Sequence, residues 1–222
     1  MENPWLWLPQ KSPFVLPEDA PFVDRFNSSV ALASRIETDV IPEPYLGAPR
    51  APVLLLNLNP GYDPREVPFH NTDPHFISLS RANLVHSPSE CPFYLLNPSI
   101  PYSLGFQWWT RKLRTLLQTA GHAAVANSLL CVEYFPYHTR RYSHSKTPFP
   151  SQAYSFALAR EAAIGAKAIV LMRGSRFWLS VLPSLRSDPR LILLRSAQNV
   201  AISPGNCTTG YQLLEEIVLA QR

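Results

Sequence analysis

A chain of 222 residues, 46% hydrophobic and 16% charged, can bury a sizeable core and suits one large domain, residues 1–222, better than two small ones. No apolar run approaches the roughly 20 residues of a bilayer span, and Trp5-Leu6-Trp7-Leu8, broken by Pro4 and Pro9 and lacking a basic lead, does not read as a signal peptide, so an intracellular protein, cytoplasmic or nucleoid-associated, is expected. The net charge of +4 is a modest pointer to an anionic partner, and Cys91, Cys131 and Cys207 are odd in number and too far apart for a zinc or iron-sulfur spacing.

In chain order, a Pro-rich arm over 1–23 is followed by a helical pattern near Asp24 to Ile36, with Asp24 as N-cap. Four aliphatic runs then read as strands: Val53 to Leu58, Leu129 to Phe135, Ala168 to Met172 and Leu191 to Leu194. Helical patterns at Gln107 to Thr119, Gln152 to Ile164, Ser175 to Leu185 and Tyr211 to Ala220 alternate with them. Such an order predicts an α/β fold, a three-layer α/β/α sandwich around a mostly parallel four-stranded sheet. The proline density between Pro60 and Pro101 predicts a long ordered loop over 60–104.

Right-handed crossovers gather the loops after the strands along one sheet edge, where open α/β folds build sites. The first of these loops, Asn57-Leu58-Asn59-Pro60-Gly61-Tyr62-Asp63, lacks the Lys and spacing of a phosphate-binding loop and is no G-x-G-x-x-G turn. Its asparagines equally suit a strand end closing an Asx-type turn. No Ser stands in a G-x-S-x-G elbow. Asp63, His70, Asp73 and His75 form a loose acidic-histidine loop without a recognised ligand spacing, so no metal and no cofactor is expected.

Asn59-Pro60-Gly61 at the end of the first core strand resembles the G-x-N-P-G motif of the mismatch-specific and single-strand-selective branches of the uracil-DNA glycosylase superfamily. The sequence departs at Asn57, where that superfamily usually has Gly. The resemblance implies a monofunctional DNA glycosylase that hydrolyses the N-glycosidic bond of a flipped base and leaves an abasic site, in repair or in defence against phage DNA bearing modified bases. Asn59 would hold the attacking water, and Gly61 would let backbone approach the nucleotide.

After the second strand the superfamily places the side chain that reads the extracted base, and Glu133 stands there in place of an Asn. An ionised carboxylate only accepts hydrogen bonds, which favours an exocyclic amine such as that of cytosine. Glu133 paired with Arg140 or Arg173 is the competing expectation. His138 is the candidate for an acid or electrophilic role beside it, although a solvated loop His is the more frequent outcome. Asn57, Tyr62, Phe93 and Tyr94 complete the expected base pocket, the aromatics by stacking. Arg140, Arg141, Lys146 and Arg173 are expected on phosphates.

The last loop, Ser203-Pro204-Gly205-Asn206, looks like a variant of the superfamily's second motif, which enters the minor groove, but it carries no His. A plain turn with Asn206 or Thr208 as N-cap of the terminal helix is the alternative. DNA is thus the expected partner of a monomer, with a catalytically weak nucleic-acid-binding module or a small-nucleotide hydrolase as rival readings. Trp108 and Trp109 share a helix with Arg111, Lys112 and Arg114, and that spacing puts one Trp in the core.

Overall fold

A computed structural model describes residues 1–145, 147–196 and 198–222. Its central sheet has five strands, β2 (Tyr45–Gly47), β3 (Val53–Asn57), β4 (Leu129–Glu133), β6 (Ala168–Leu171) and β7 (Leu191–Leu193), in the order β2-β4-β3-β6-β7. The four expected strands are present and parallel, and the fifth, β2, adds an antiparallel edge on β4. Three residues between Pro44 and Ala48 are too short to show a period, which is why the expected count of four falls one short. A separate two-stranded sheet joins β1 (Ile36–Glu37) to β5 (His138–Thr139).

Side chains on successive strand positions point to opposite faces. Leu54, Leu56, Leu130, Val132, Ile169 and Leu171 therefore meet one core, and Val53, Leu55, Leu129, Cys131, Ala168 and Val170 the other. The first core is covered by α6 (Gln152–Gly165), α7 (Ser175–Val181) and α1 (Ala20–Ser29). The second is covered by α3 (Pro74–Leu84), α4 (Leu104–Lys112), α5 (Arg114–Ser128) and α8 (Tyr211–Leu219). No described helix is long and apolar enough to cross a membrane.

Several local expectations are corrected. The first helix starts at Ala20 and ends at Ser29, with Asp19 rather than Asp24 before it, because Pro21 suits the first helical turn and Val23 and Phe26 supply the buried stripe. The N-terminal arm packs onto the domain: Trp5, Leu8, Phe14 and Leu16 are buried, and Tyr137 donates to the Asp19 carboxylate at 2.7 Å. The 60–104 segment holds α2 (Val67–Thr72) and α3 in place of a continuous loop. Pro68 and Pro74 each sit in a first helical turn, where no backbone N–H is needed, and Asp73 caps α3 by accepting from the His75 and Phe76 amides. The single helix expected at Gln107 to Thr119 is two, α4 and α5, parted at Leu113. Gly210, left-handed at φ 71°, precedes α8, so neither Asn206 nor Thr208 is its N-cap.

Candidate functional site

Register places the site. Asn57 and Glu133 are aligned partners at the carboxyl ends of adjacent parallel strands, and each has the same parity as the residues facing the second core. Both side chains thus emerge on one face, at the sheet edge, beneath α4. The cavity there has a volume of about 320 Å³, within the range of small-ligand sites, and is lined by polar groups from every neighbouring loop.

Asn57 is only 4% exposed and Glu133 only 3%. The Asn57 amide nitrogen donates to Glu133 Oε1 at 2.8 Å, which fixes both side chains. Asn57 Oδ1 and Glu133 Oε2, both buried, have no hydrogen-bond partner among the described residues. Buried polar atoms are nearly always paired, so these two, on hydrogen-bonded side chains that both line the cavity, are free to meet a ligand. The main chain of Asn57 is itself braced, its carbonyl accepting from the Trp178 indole and the Tyr134 amide.

Asn59 stands two residues on. Its amide nitrogen donates to the Pro60 carbonyl at 2.8 Å and to Thr139 Oγ1 at 2.9 Å. Its amide oxygen accepts no hydrogen bond among the described residues, and Asn59 lines the cavity. With the nitrogen doubly committed, that oxygen is oriented as an acceptor for water or a sugar hydroxyl.

Three carboxyl groups converge on the cavity. Burial, with Glu43 nearby, raises Glu133 to about 8 against the opposing Asn57 hydrogen bond and Arg173. Burial likewise raises Glu43 to about 7, its Oε1 accepting from Tyr94 at 3.1 Å, and Glu66 to about 7, its Oε1 accepting from the Leu104 amide. No ion pair joins Glu133 to Arg140 or Arg173: Arg140 bonds Glu37 at 3.2 Å and packs on the Tyr62 ring at 4.8 Å, while Arg173 donates to the Gln198 carbonyl at 3.3 Å. Both arginines line the cavity.

His138 also lines the cavity, but its ring is committed. Nδ1 lies 2.6 Å from the Gly61 carbonyl and Nε2 3.0 Å from the Ile41 carbonyl. In either neutral tautomer one nitrogen donates to a carbonyl, and as imidazolium both do. Burial pulls its affinity for a proton below the ordinary histidine range, against the pull of those carbonyls and of Glu66. An acid role would require breaking one of these bonds; in this arrangement the ring holds Gly61 and the strand-end turn.

The cavity thus unites Asn57, Asn59, Gly61, Glu133, His138, Arg140 and Arg173. The expected stacking aromatics lie elsewhere. Phe93 is fully buried in the second core against Trp109, at 4.9 Å between ring centres, and Tyr94 is buried with its hydroxyl on Glu43. Tyr62 turns to Asp39, 3.0 Å from its hydroxyl. The aromatic residues that line the cavity are Trp108, Tyr142 and the buried Trp109. Trp108 carries Lys112 over its ring at 5.6 Å. Of the two tryptophans, Trp109 is the core residue and Trp108 the outer one.

Arg141 is exposed and tied through its backbone to Ala33, away from the cavity. Ser203, Pro204, Gly205 and Asn206 do not line it either. Asn206 is a staple of its own loop, donating to the Asn199 and Ala201 carbonyls and accepting from the Ser196 amide, and Ser203 accepts from the Asn206 and Cys207 amides through its carbonyl. That leaves Pro204 and Gly205 as the exposed apex. Lys146 lies outside the described residues.

The acidic-histidine set is dispersed among structural duties. Asp63 pairs with Arg65, the buried His70 accepts from the Ile41 amide, Asp73 caps α3 and His75 bonds Ser99. Among the described residues no group of three or more His, Cys, Asp or Glu is arranged to hold a metal ion. The sequence reading missed Glu43 and Glu66, which lie in segments taken as loop, and Thr139, whose only signal is its place one residue after His138.

No protein-family model, curated protein or solved structure matches the chain.

Proposed function

We propose that the chain is a DNA glycosylase that takes a flipped base into the cavity at the carboxyl edge of β3 and β4 and hydrolyses its N-glycosidic bond. The observation that carries this reading is the juxtaposition of two oriented groups. Asn59 offers an amide oxygen as a water acceptor, and the Asn57–Glu133 pair, lining the same cavity, offers unpaired polar atoms of the kind that read a base edge. Trp108 supplies an aromatic wall, and stacking on such a wall contributes about 1–3 kcal/mol per base.

In this reading Asn59 positions water against the anomeric carbon, and Arg173 and Arg140 supply positive charge for the departing base and the flanking phosphates. An amide is not basic, so the rate comes from positioning and from stabilising the leaving group rather than from proton abstraction. The test is abasic-site formation on oligonucleotides carrying uracil, mismatched and modified-cytosine bases. Cleavage by wild type and its loss in Asn59→Ala support the proposal.

A second reading, a binding module without turnover, is favoured by one observation: both His138 nitrogens are held by carbonyls, which leaves no free imidazole for the departing base. Tight oligonucleotide binding without abasic sites distinguishes it.

A further inference from the structure

We propose that Glu133 works as a neutral acid and, with the Asn57 amide oxygen, forms a donor–acceptor pair that takes the amidine edge of a 4-aminopyrimidine such as cytosine. This deepens the glycosylase reading and rests on it for the ligand being a nucleobase. It also reverses the simplest expectation for a glutamate at this position, that of a carboxylate which only accepts.

The geometry argues for the acid form. Glu133 Oε1 is occupied by the Asn57 amide, and Oε2 is buried on the cavity wall with no partner. An ionised oxygen left so would carry the full cost of desolvation, whereas a hydroxyl there is a donor waiting for an acceptor. The groups facing Glu133 do not supply a compensating cation contact. Cys131 on its own strand is neutral at 3.9 Å, Glu43 ahead of β2 is itself an acid, and Arg173 beyond β6 turns to the Gln198 carbonyl. Farther round the wall, Glu66 adds another carboxyl and His138 is committed to backbone.

An acidic O–H beside an amide oxygen matches a ring nitrogen beside an exocyclic amine. Uracil also has one acceptor next to one donor, but the rest of the cavity separates the two bases. A uracil edge also satisfies the pair, its N–H on the Asn57 oxygen and one flanking carbonyl on the Glu133 hydroxyl, but it carries no further donor. An amine brings a second N–H to an acceptor-rich wall, and the cytosine ring nitrogen is a stronger acceptor than a carbonyl oxygen.

The test is calorimetric binding of the free bases cytosine, N4,N4-dimethylcytosine and uracil to wild type and Glu133→Gln between pH 6 and 9. Cytosine is expected to bind tightest. Dimethylation removes both N–H donors, leaves the Asn57 oxygen unpaired, and should cost roughly ten- to a hundred-fold. Wild-type binding should weaken as pH rises through the window near 8. In Glu133→Gln the amide donates at every pH, so that step should vanish, while any step near 7 from Glu43 and Glu66 stays in both proteins.

Loss of binding in Glu133→Gln with wild-type affinity undiminished at pH 9 overturns the proposal. So does tighter binding of uracil, or no binding of cytosine. Abasic-site assays run in parallel separate the two claims: cytosine binding as described without cleavage removes the glycosylase and leaves the pair, whereas cleavage with base choice indifferent to pH and to Glu133→Gln removes the pair alone.

Discussion

Glu133→Gln has a consequence for stability that depends on no assumption about the ligand. Below about pH 4.5 the carboxyl is protonated in folded and unfolded chains alike, so it contributes nothing to the pH dependence. Between 4.5 and about 8 the unfolded chain gives up its proton while the folded chain keeps it, and above 8 the folded chain must bury a carboxylate whose Oε2 has no partner. Stability is thus fully present below the unfolded value and lost as pH rises through about 8. A shift from 4.5 to about 8, at about 1.4 kcal/mol per unit, sets an upper bound of roughly 5 kcal/mol on that loss.

The amide replacement keeps the acceptor for Asn57 and cannot ionise. It should therefore stabilise the protein at pH 9 by up to roughly 5 kcal/mol, equivalent to about 10–20 °C in Tm for a chain of this size, and by less than about 1 kcal/mol at pH 5. Urea unfolding at the two pH values measures the difference directly. Equal effects at pH 5 and pH 9, or none at pH 9, would refute the buried-acid account of Glu133.

Three further outcomes follow from particular contacts. Gly47→Ala should cost about 3 kcal/mol by urea unfolding, because φ is +99° there and an added Cβ would lie 2.0 Å from the Leu129 carbonyl oxygen, forcing β2 off β4. Trp178→Phe removes the indole donor to the Asn57 carbonyl and should cost about 2 kcal/mol, read by the same method. Trp108→Ala loses packing against Trp109 and should cost some stability by urea unfolding, and in the folded variant it should weaken binding of single-stranded oligonucleotide by about 1–3 kcal/mol, read by fluorescence titration; unaltered binding would remove Trp108 as a stacking wall.

The sheet was legible because parallel strands buried on both faces write continuous aliphatic runs, as β3, β4 and β6 do, and the partly exposed edge strand β7 falls within a short aliphatic run as well. The edge strand β2 and the helices α2 and α3 were not, because three residues show no period and because prolines at helix starts look like loop from composition alone. Asn57 and Glu133 were singled out by position after the strands, but their meeting on one face needed the register of β3 against β4, which no single strand encodes. Phe93 and Tyr94 illustrate the converse: an aromatic in a polar loop is as easily drawn into a core, and here both anchor the segment that roofs it. Glu43 and Glu66 reach the cavity from segments far apart in sequence, so their convergence is a tertiary fact.

The central claim, that Asn59 positions water for hydrolysis of a flipped nucleotide, is tested most directly by abasic-site formation. Oligonucleotides bearing uracil, mismatched and modified-cytosine bases, single-stranded and duplex, are incubated with wild type and Asn59→Ala, and abasic sites are converted to strand breaks by alkali. The account predicts cleavage of at least one substrate by wild type and a loss of about a hundred-fold or more in Asn59→Ala. Equal cleavage by the two proteins, or none by wild type on any substrate it binds, would contradict it.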